Sequence, residues 1–287
     1  VKLGVRLPNG GPIATHDNLR KVVAWADDLG FDGVWIGDHV ILPERSDSIY
    51  PYGGGGWSRP PDTPVLDPVV ALSLAAAWSS RLTVGTSVLI LPLRNPVLIA
   101  KQIATLDALS GGRVRLGLGV GWLREEFELV GAPFDDRGRR SDEMTHLMRA
   151  LWSGEVVRYD GAFWSVRGGA IAPSPTRRAV AILWGGHSDA ALRRIARLGD
   201  GWMPIGLDAA ALAERAEVLR RLVRRAGRDP EGLEIVARPD QPLSRALVAA
   251  HRAVGVREII TDPPMRLESL ADCRAEMERT AEVVRAS

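Results

Sequence analysis

Short apolar runs with a period of two recur along this chain, and between them lie longer stretches whose apolar positions return every three to four residues. The first run, Lys2 to Leu7, reads as a strand and is closed by the turn signal Pro8-Asn9-Gly10-Gly11-Pro12. Thr15 then caps a helix that carries Leu19, Val22, Val23, Ala26 and Leu29 on one face and stops at Gly30. Gly33 to Ile36 is the second strand. Further strands are predicted at Leu82 to Leu89, Val114 to Val120, Ala179 to Trp184, Gly201 to Pro204, Leu233 to Ala237 and Glu258 to Thr261. Helices follow most of them, the last from Leu267 to Arg285. About eight strands alternating with helices predict an α/β fold, a (β/α)8 or TIM barrel in preference to an open doubly wound sheet. A barrel of this type uses ~250 residues, so residues 1–287 are read as one domain.

Two segments break the alternation. Ile41 to Leu66, after the second strand, is rich in Pro, Gly and Tyr and includes the run Gly53 to Gly56. Loops beyond ~15 residues in compact domains are commonly lids or binding loops, and this one directly follows His39. Its aromatics Tyr50, Tyr52 and Trp57 suggest an apolar pocket wall. Val156 to Ala172 contains VVRY-DG-AFWSV, a β-hairpin turning at Asp160-Gly161 and inserted before the fifth strand.

The densest signal is Arg113 to Phe127, RVRLGLGVGWLREEF. Here Gly117, Gly119 and Gly121 stand at alternate positions of a strand that runs into a helix. Two readings are open: the glycines let a flat ligand or phosphate approach the backbone, or they relieve a tightly packed barrel strand. A second turn, Trp184-Gly185-Gly186-His187-Ser188, ends a strand and enters a helix through a serine cap, an arrangement that suits a phosphate.

The 37 Lys and Arg against 35 Asp and Glu leave a net charge of +2. The arginines of the later helices lie at helical spacing among apolar residues, as on a solvated face, so no nucleic-acid partner is expected. No apolar run approaches the ~20 residues of a membrane span, and no basic stretch with an apolar core opens the chain. The reading is a cytoplasmic protein. One cysteine, Cys273, excludes an internal disulfide and a cysteine-based metal cluster, and its helical setting argues against a catalytic thiol. Of the five histidines, His16, His146 and His251 fall in helical segments and are expected at the surface. Only His39 and His187 fall at strand ends.

Barrel enzymes place their sites at the C-terminal ends of the strands. Here those positions are Asn9, Asp38, His39, Ser87, Val88, Gly119, Gly121, Trp122, Gly185, Gly186, His187, Ser188, Arg238 and Asp262. Arg238 could meet a substrate anion or pair with a neighbouring carboxylate. The P-loop, Rossmann spacing, Gly-x-Ser-x-Gly elbow and His-Glu-x-x-His pair are all missing, and no metal site is expected.

Four segments occur together and in order: WIGDHV (Trp35 to Val40), GTSVLILPLRNP (Gly85 to Pro96), RVRLGLGVGWLREEF, and ILWGGHSDAALRRIARLGDGW (Ile182 to Trp202). In them the chain resembles the luciferase-like monooxygenase superfamily, and within it the oxidoreductases that use the deazaflavin coenzyme F420. The likeness runs from Val1 to about Trp202. It implies a non-prolyl cis peptide at Ser87-Val88 beneath the cofactor ring. It also implies that Gly119, Gly121 and the turn Gly185, Gly186, His187 and Ser188 hold the cofactor's tail and phosphate. Asp38 would bond the ring, and His39 would sit near its reactive carbon as proton donor or base. In relatives that oxidise a sugar phosphate, the position matching Trp122 is a glutamate acting as an acid, so sugar oxidation is not expected here.

The activity implied is hydride transfer between F420 and a small organic substrate. The alternative is an FMN-dependent two-component monooxygenase fed reduced flavin by a partner reductase, and a third is a barrel that binds flavin without turnover. Related barrels also suggest a homodimer.

Overall fold

The computed structural model describes residues 1–52, 59–263 and 270–287. The predicted alternation is realised as a closed parallel barrel with a separate antiparallel hairpin. In chain order the barrel strands are β1 (Lys2–Arg6), β2 (Gly33–Ile36), β3 (Thr83–Thr86), β4 (Leu89–Ile90), β5 (Val114–Gly119), β8 (Ala181–Gly185), β9 (Gly201–Met203), β10 (Glu234–Ala237) and β11 (Val256–Thr261). The hairpin is β6 (Val157–Asp160) and β7 (Ser165–Gly169). The sheet runs β3-β2-β1-β11-β10-β9-β8-β5-β4, and pairing of β3 with β5 closes it. Around it lie α1 (His16–Asp28), α2 (Pro68–Trp78), α3 (Pro96–Ser110), α4 (Arg124–Val130), α5 (Arg137–Trp152), α6 (Asp189–Leu198), α7 (Ala209–Arg225), α8 (Arg245–Val254) and α9 (Cys273–Arg285). Among the described residues, no helix is long and apolar enough to cross a membrane.

The strand pattern sorts residues to the two faces of the barrel wall, because successive side chains point to opposite sides. Outward residues such as Leu3, Val5, Val34, Leu116, Leu118 and Ile182 join the helices in the main core. Inward residues stack in layers. The middle layer is Trp35, Leu183, Met203, Val236 and Ile260, with Val88 above them. Trp35 fits because its neighbours are glycines: a Cβ on Gly4 would stand 2.5 Å from its Nε1, and one on Gly85 would stand 2.4 Å from its Cζ3. The layer toward the strand N-termini is charged, with Arg115 Nη1 donating to Glu258 at 2.6 Å and Trp35 Nε1 donating to the same carboxylate at 2.7 Å. One step above the middle layer, two residues on from Gly4, Val236 and Ile260, come Arg6, Arg238 and Asp262.

Several expectations need correction or limits. The strand predicted over Leu82 to Leu89 is two pieces, β3 and β4, interrupted at a cis Ser87-Val88 peptide, as the family resemblance implies. The hairpin connection is Gly161 to Trp164 rather than a two-residue turn at Asp160-Gly161, since Asp160 already pairs with Ser165. The cause lies in α5, where the Glu143 carboxylate accepts from the amides of Ala162, Phe163 and Trp164 and so defines the loop. His251 is buried, its Nδ1 2.9 Å from the Leu247 carbonyl, and is not a surface residue. The predicted start of the last helix at Leu267, the run Gly53 to Gly56 and Trp57 lie outside the described residues.

Candidate active site

A cavity of about 950 Å³ opens at the C-terminal ends of the strands. Asn9, Asp38, His39, Ser87, Val88, Gly119, Gly121, Trp122, Gly185, Gly186, His187, Ser188 and Arg238 all line it, so strand ends distant in sequence meet there. Asp262 stands behind this lining, paired to Arg238.

His39 leaves β2 directly over this opening. Its Nδ1 stands 2.9 Å from Oε2 of Glu126, whose side chain is fully buried at the start of α4. The other oxygen, Oε1, accepts from the Val40 amide at 2.6 Å. A carboxylate oxygen accepting at Nδ1 matches the tautomer that carries its proton on that nitrogen. The preceding residue works on the same loop: Glu125 accepts from the Asp47 amide at 2.8 Å and from the Ser48 hydroxyl at 2.7 Å. Desolvation opposes its charge, yet these hydrogen bonds and that of Ser46 hold the Glu125 carboxyl down to about 2. Adjacent carboxylates at one helix start therefore fasten both the histidine and the loop that follows it.

That loop brings aromatic rings over the opening. Tyr50 packs edge-on to Trp122 with centroids 5.2 Å apart, Tyr52 to His187 at 5.3 Å, and His39 to Trp122 at 6.4 Å. The wall expected from Tyr50 and Tyr52 is thus built around Trp122. Burial, and then Tyr50, push the Tyr52 hydroxyl above its ordinary range, while burial, and then Arg215, push the His187 imidazole down.

The alternate glycines serve the protein's own packing. A Cβ on Gly117 would strike the Thr86 carbonyl at 2.0 Å, and one on Gly121, at φ +79, would meet the Phe127 ring at 2.5 Å. Gly119 and Gly185 flank Val88, whose two methyl groups would lie 2.7 and 3.2 Å from Cβ atoms added there. Of the two readings of this strand, the packing one is met at every one of these positions, and its product is a Ser87-Val88 step seated at the cavity floor. Two buried polar atoms along the same surface, Ser87 Oγ and His187 Nδ1, have no hydrogen-bond partner among the described residues. Ser188 caps α6 through the Ala191 amide, as its sequence position suggests. Asp38 reaches the cavity edge, but Ile90 N donates to one carboxylate oxygen at 2.8 Å and Arg94 Nη2 to the other at 2.7 Å. Burial raises its pKa in spite of Arg94.

Sequence reasoning misses Glu126, Glu125, Arg6, Arg137 and Arg194. Arg137 Nε donates to the Gly121 carbonyl at 3.1 Å, and Arg194 is ion-paired with Asp142; both line the cavity near the Gly185 to Ser188 turn. The one available signal for Glu126 is a carboxylate on the face of a short helix that also buries Phe127.

A closed (β/α)8 barrel with a large cavity at its C-terminal mouth and a carboxylate-backed histidine on that rim has its cavity where barrel enzymes place their sites. Residues 3–260 match the family model described as Luciferase-like monooxygenase, and the chain belongs to that family and is an oxidoreductase of the luciferase-like kind. The match continues past Trp202, where recognisable motifs end. An uncharacterized protein of Mycobacterium tuberculosis is 39% identical over 204 residues, 71% of this chain and 70% of that protein. The F420-dependent glucose-6-phosphate dehydrogenase of Beutenbergia cavernae is 35% identical over 194 residues, 66% of this chain and 52% of the enzyme. Among solved structures, an F420-dependent secondary alcohol dehydrogenase in complex with an F420-acetone adduct superposes with a TM-score of 0.77 at 16% identity. It covers 99% of this chain and 98% of its own, a likeness of fold.

Proposed function

We propose that this chain is an F420-dependent oxidoreductase that passes a hydride between the deazaflavin and a small organic substrate, with His39 as proton donor or base. The observation that carries the reading is the His39 to Glu126 pair at the cavity rim, 2.9 Å apart and backed by a fully buried carboxylate. The cavity suits such a cofactor by its size, its Ser87-Val88 floor and the unpartnered Ser87 Oγ and His187 Nδ1. Gly119, Gly121 and the turn Gly185, Gly186, His187 and Ser188 would hold it, with Arg137 and Arg194 beside its anionic tail. When bound, F420 supplies two-electron hydride chemistry and reacts poorly with oxygen. The protein's part is orientation, proton delivery and exclusion of water. Glu126 orients His39 and balances the charge it gains on protonation, Tyr50 and Trp122 shield the rim, and Asp38 with Arg94 steadies β4 beneath it. A sequence relative named for F420 supports this cofactor over FMN.

The test is titration of the purified protein with oxidised F420 and, in parallel, FMN, read by tryptophan fluorescence, with His39→Ala as the turnover control. Tight F420 and weak FMN binding is the expected result, with binding retained and turnover lost in His39→Ala. The opposite preference contradicts the reading and points to a two-component monooxygenase with a partner reductase.

A further inference from the structure

The cavity has two cationic ends. In the closed strand order β8 lies four strands from β1 in either direction, so the Gly185 to Ser188 turn and the tip of β1 face each other across the mouth. Arg137 and Arg194 stand at the β8 end. At the other end, Arg6 from β1 and Arg238 after β10 share one carboxylate: Arg238 Nε lies 2.9 Å from Asp262 Oδ2, and Arg6 Nη1 lies 3.4 Å from Oδ1. Both guanidinium groups are largely buried, with side-chain exposures of 12% and 16%, and both line the cavity. Arg6 Nε has no hydrogen-bond partner among the described residues. Within this cluster two guanidiniums share one aspartate, an excess of one positive charge in a largely buried wall next to the strand that leads to His39. Burial and the neighbouring Arg238 push the Arg6 guanidinium down to about 10, the direction expected where cation repels cation.

A buried surplus charge is costly unless a counter-ion meets it, and a guanidinium matches a carboxylate in shape. We propose that Arg6 and Arg238 bind a carboxylate of the substrate, which makes the substrate a small organic acid whose apolar body lies along the wall of Tyr50 and Trp122. A monoanion matches the one charge left over; a phosphate dianion exceeds it. This extends the function proposed above in taking the bound molecule as substrate, while the anion site itself is open to measurement without any cofactor.

Isothermal titration of the full chain with benzoate, benzamide and phenyl phosphate tests it. Benzoate is expected to bind at least about tenfold tighter than its neutral isostere, in keeping with a charge-assisted hydrogen bond, and tighter than phenyl phosphate. Arg238→Gln weakens benzoate by about tenfold or more, Asp262→Asn tightens it by doubling the surplus charge, and Arg194→Gln leaves it unchanged. The opposite signs of the Arg238 and Asp262 variants separate charge from misfolding. Benzoate remains bound when F420 saturates the protein. The proposal is overturned if millimolar benzoate does not bind, if benzamide or phenyl phosphate binds as well, if only Arg194→Gln matters, or if F420 displaces benzoate. F420 failing to bind while benzoate binds would remove the cofactor reading and leave this site standing; the converse would remove this site alone.

Discussion

Two charge clusters occupy the inside of one barrel, and they are built with opposite ratios. At the strand N-termini, Arg115 is shared by Glu258 and Glu234, with Trp35 Nε1 adding a further hydrogen bond to Glu258. At the mouth, Asp262 is shared by Arg6 and Arg238. The floor cluster is capped by the packed layer of Trp35, Leu183, Met203, Val236 and Ile260, and its groups find partners in one another. The mouth cluster faces an open cavity. A buried nitrogen without a hydrogen-bond partner among the described residues occurs in both clusters, Arg6 Nε at the mouth and Arg115 Nη2 at the floor, but Arg115 Nη2 is ion-paired to Glu234. Charge at the floor therefore serves stability, whereas charge at the mouth is held ready for a ligand.

The largest effect expected from breaking this contrast is at the floor. Arg115→Met leaves Glu258, 1% exposed, without its cation, and unfolding in denaturant should show a loss of about 3–5 kcal/mol. Arg238→Gln leaves Asp262 paired with Arg6, so the same experiment should register a loss of less than about 1 kcal/mol. Next in size is the proton path. Glu126→Gln keeps the shape of the site but removes the negative charge behind His39. It should lower kcat about 100-fold and change the pH profile of turnover, with F420 affinity retained. A merely structural role for Glu126 would instead lower cofactor binding and stability together, with an unchanged pH profile.

The smallest effect concerns the clasp on the loop after β2. The Glu125 pKa is lowered from 4.5 in isolation to about 2 in the fold. A depressed carboxyl stabilises the folded state above its unfolded pKa and loses that contribution as pH falls through the folded value. Loop anchoring should therefore be constant from neutral pH down to about 4.5 and weaken progressively toward about 2. Hydrogen exchange at the Asp47 and Ser48 amides reads this directly, and Glu125→Gln should expose both amides at neutral pH.

Features that depend on local periodicity are legible in the sequence itself. The period of two places β1, β2 and β5 within a residue or so, and Thr15 and Ser188 cap α1 and α6 where their positions suggest. The strand-end rule gathers Asn9, His39, Ser87, His187 and Arg238 around one cavity. Features set by distant partners are not legible. Glu143 reaches from α5 to fix the hairpin loop, and nothing near Asp160 signals it. His251 is buried because α8 turns that face inward, although a histidine between Ala250 and Arg252 reads as surface. Glu126 reads as one of two carboxylates on a helix start; its place behind the histidine follows only once β2 brings His39 against it. The break at Ser87-Val88 follows from family resemblance, since LTVGTSVL by itself reads as an unbroken strand.

The contrast between floor and mouth is tested most directly by measuring benzoate affinity in Arg115→Met and Arg238→Gln side by side, at a temperature where both are folded. The expected result is wild-type affinity in the floor variant and affinity lowered about tenfold or more in the mouth variant. Equal losses in both, or a loss confined to Arg115→Met, would contradict the assignment of stability to one end of the barrel and ligand binding to the other.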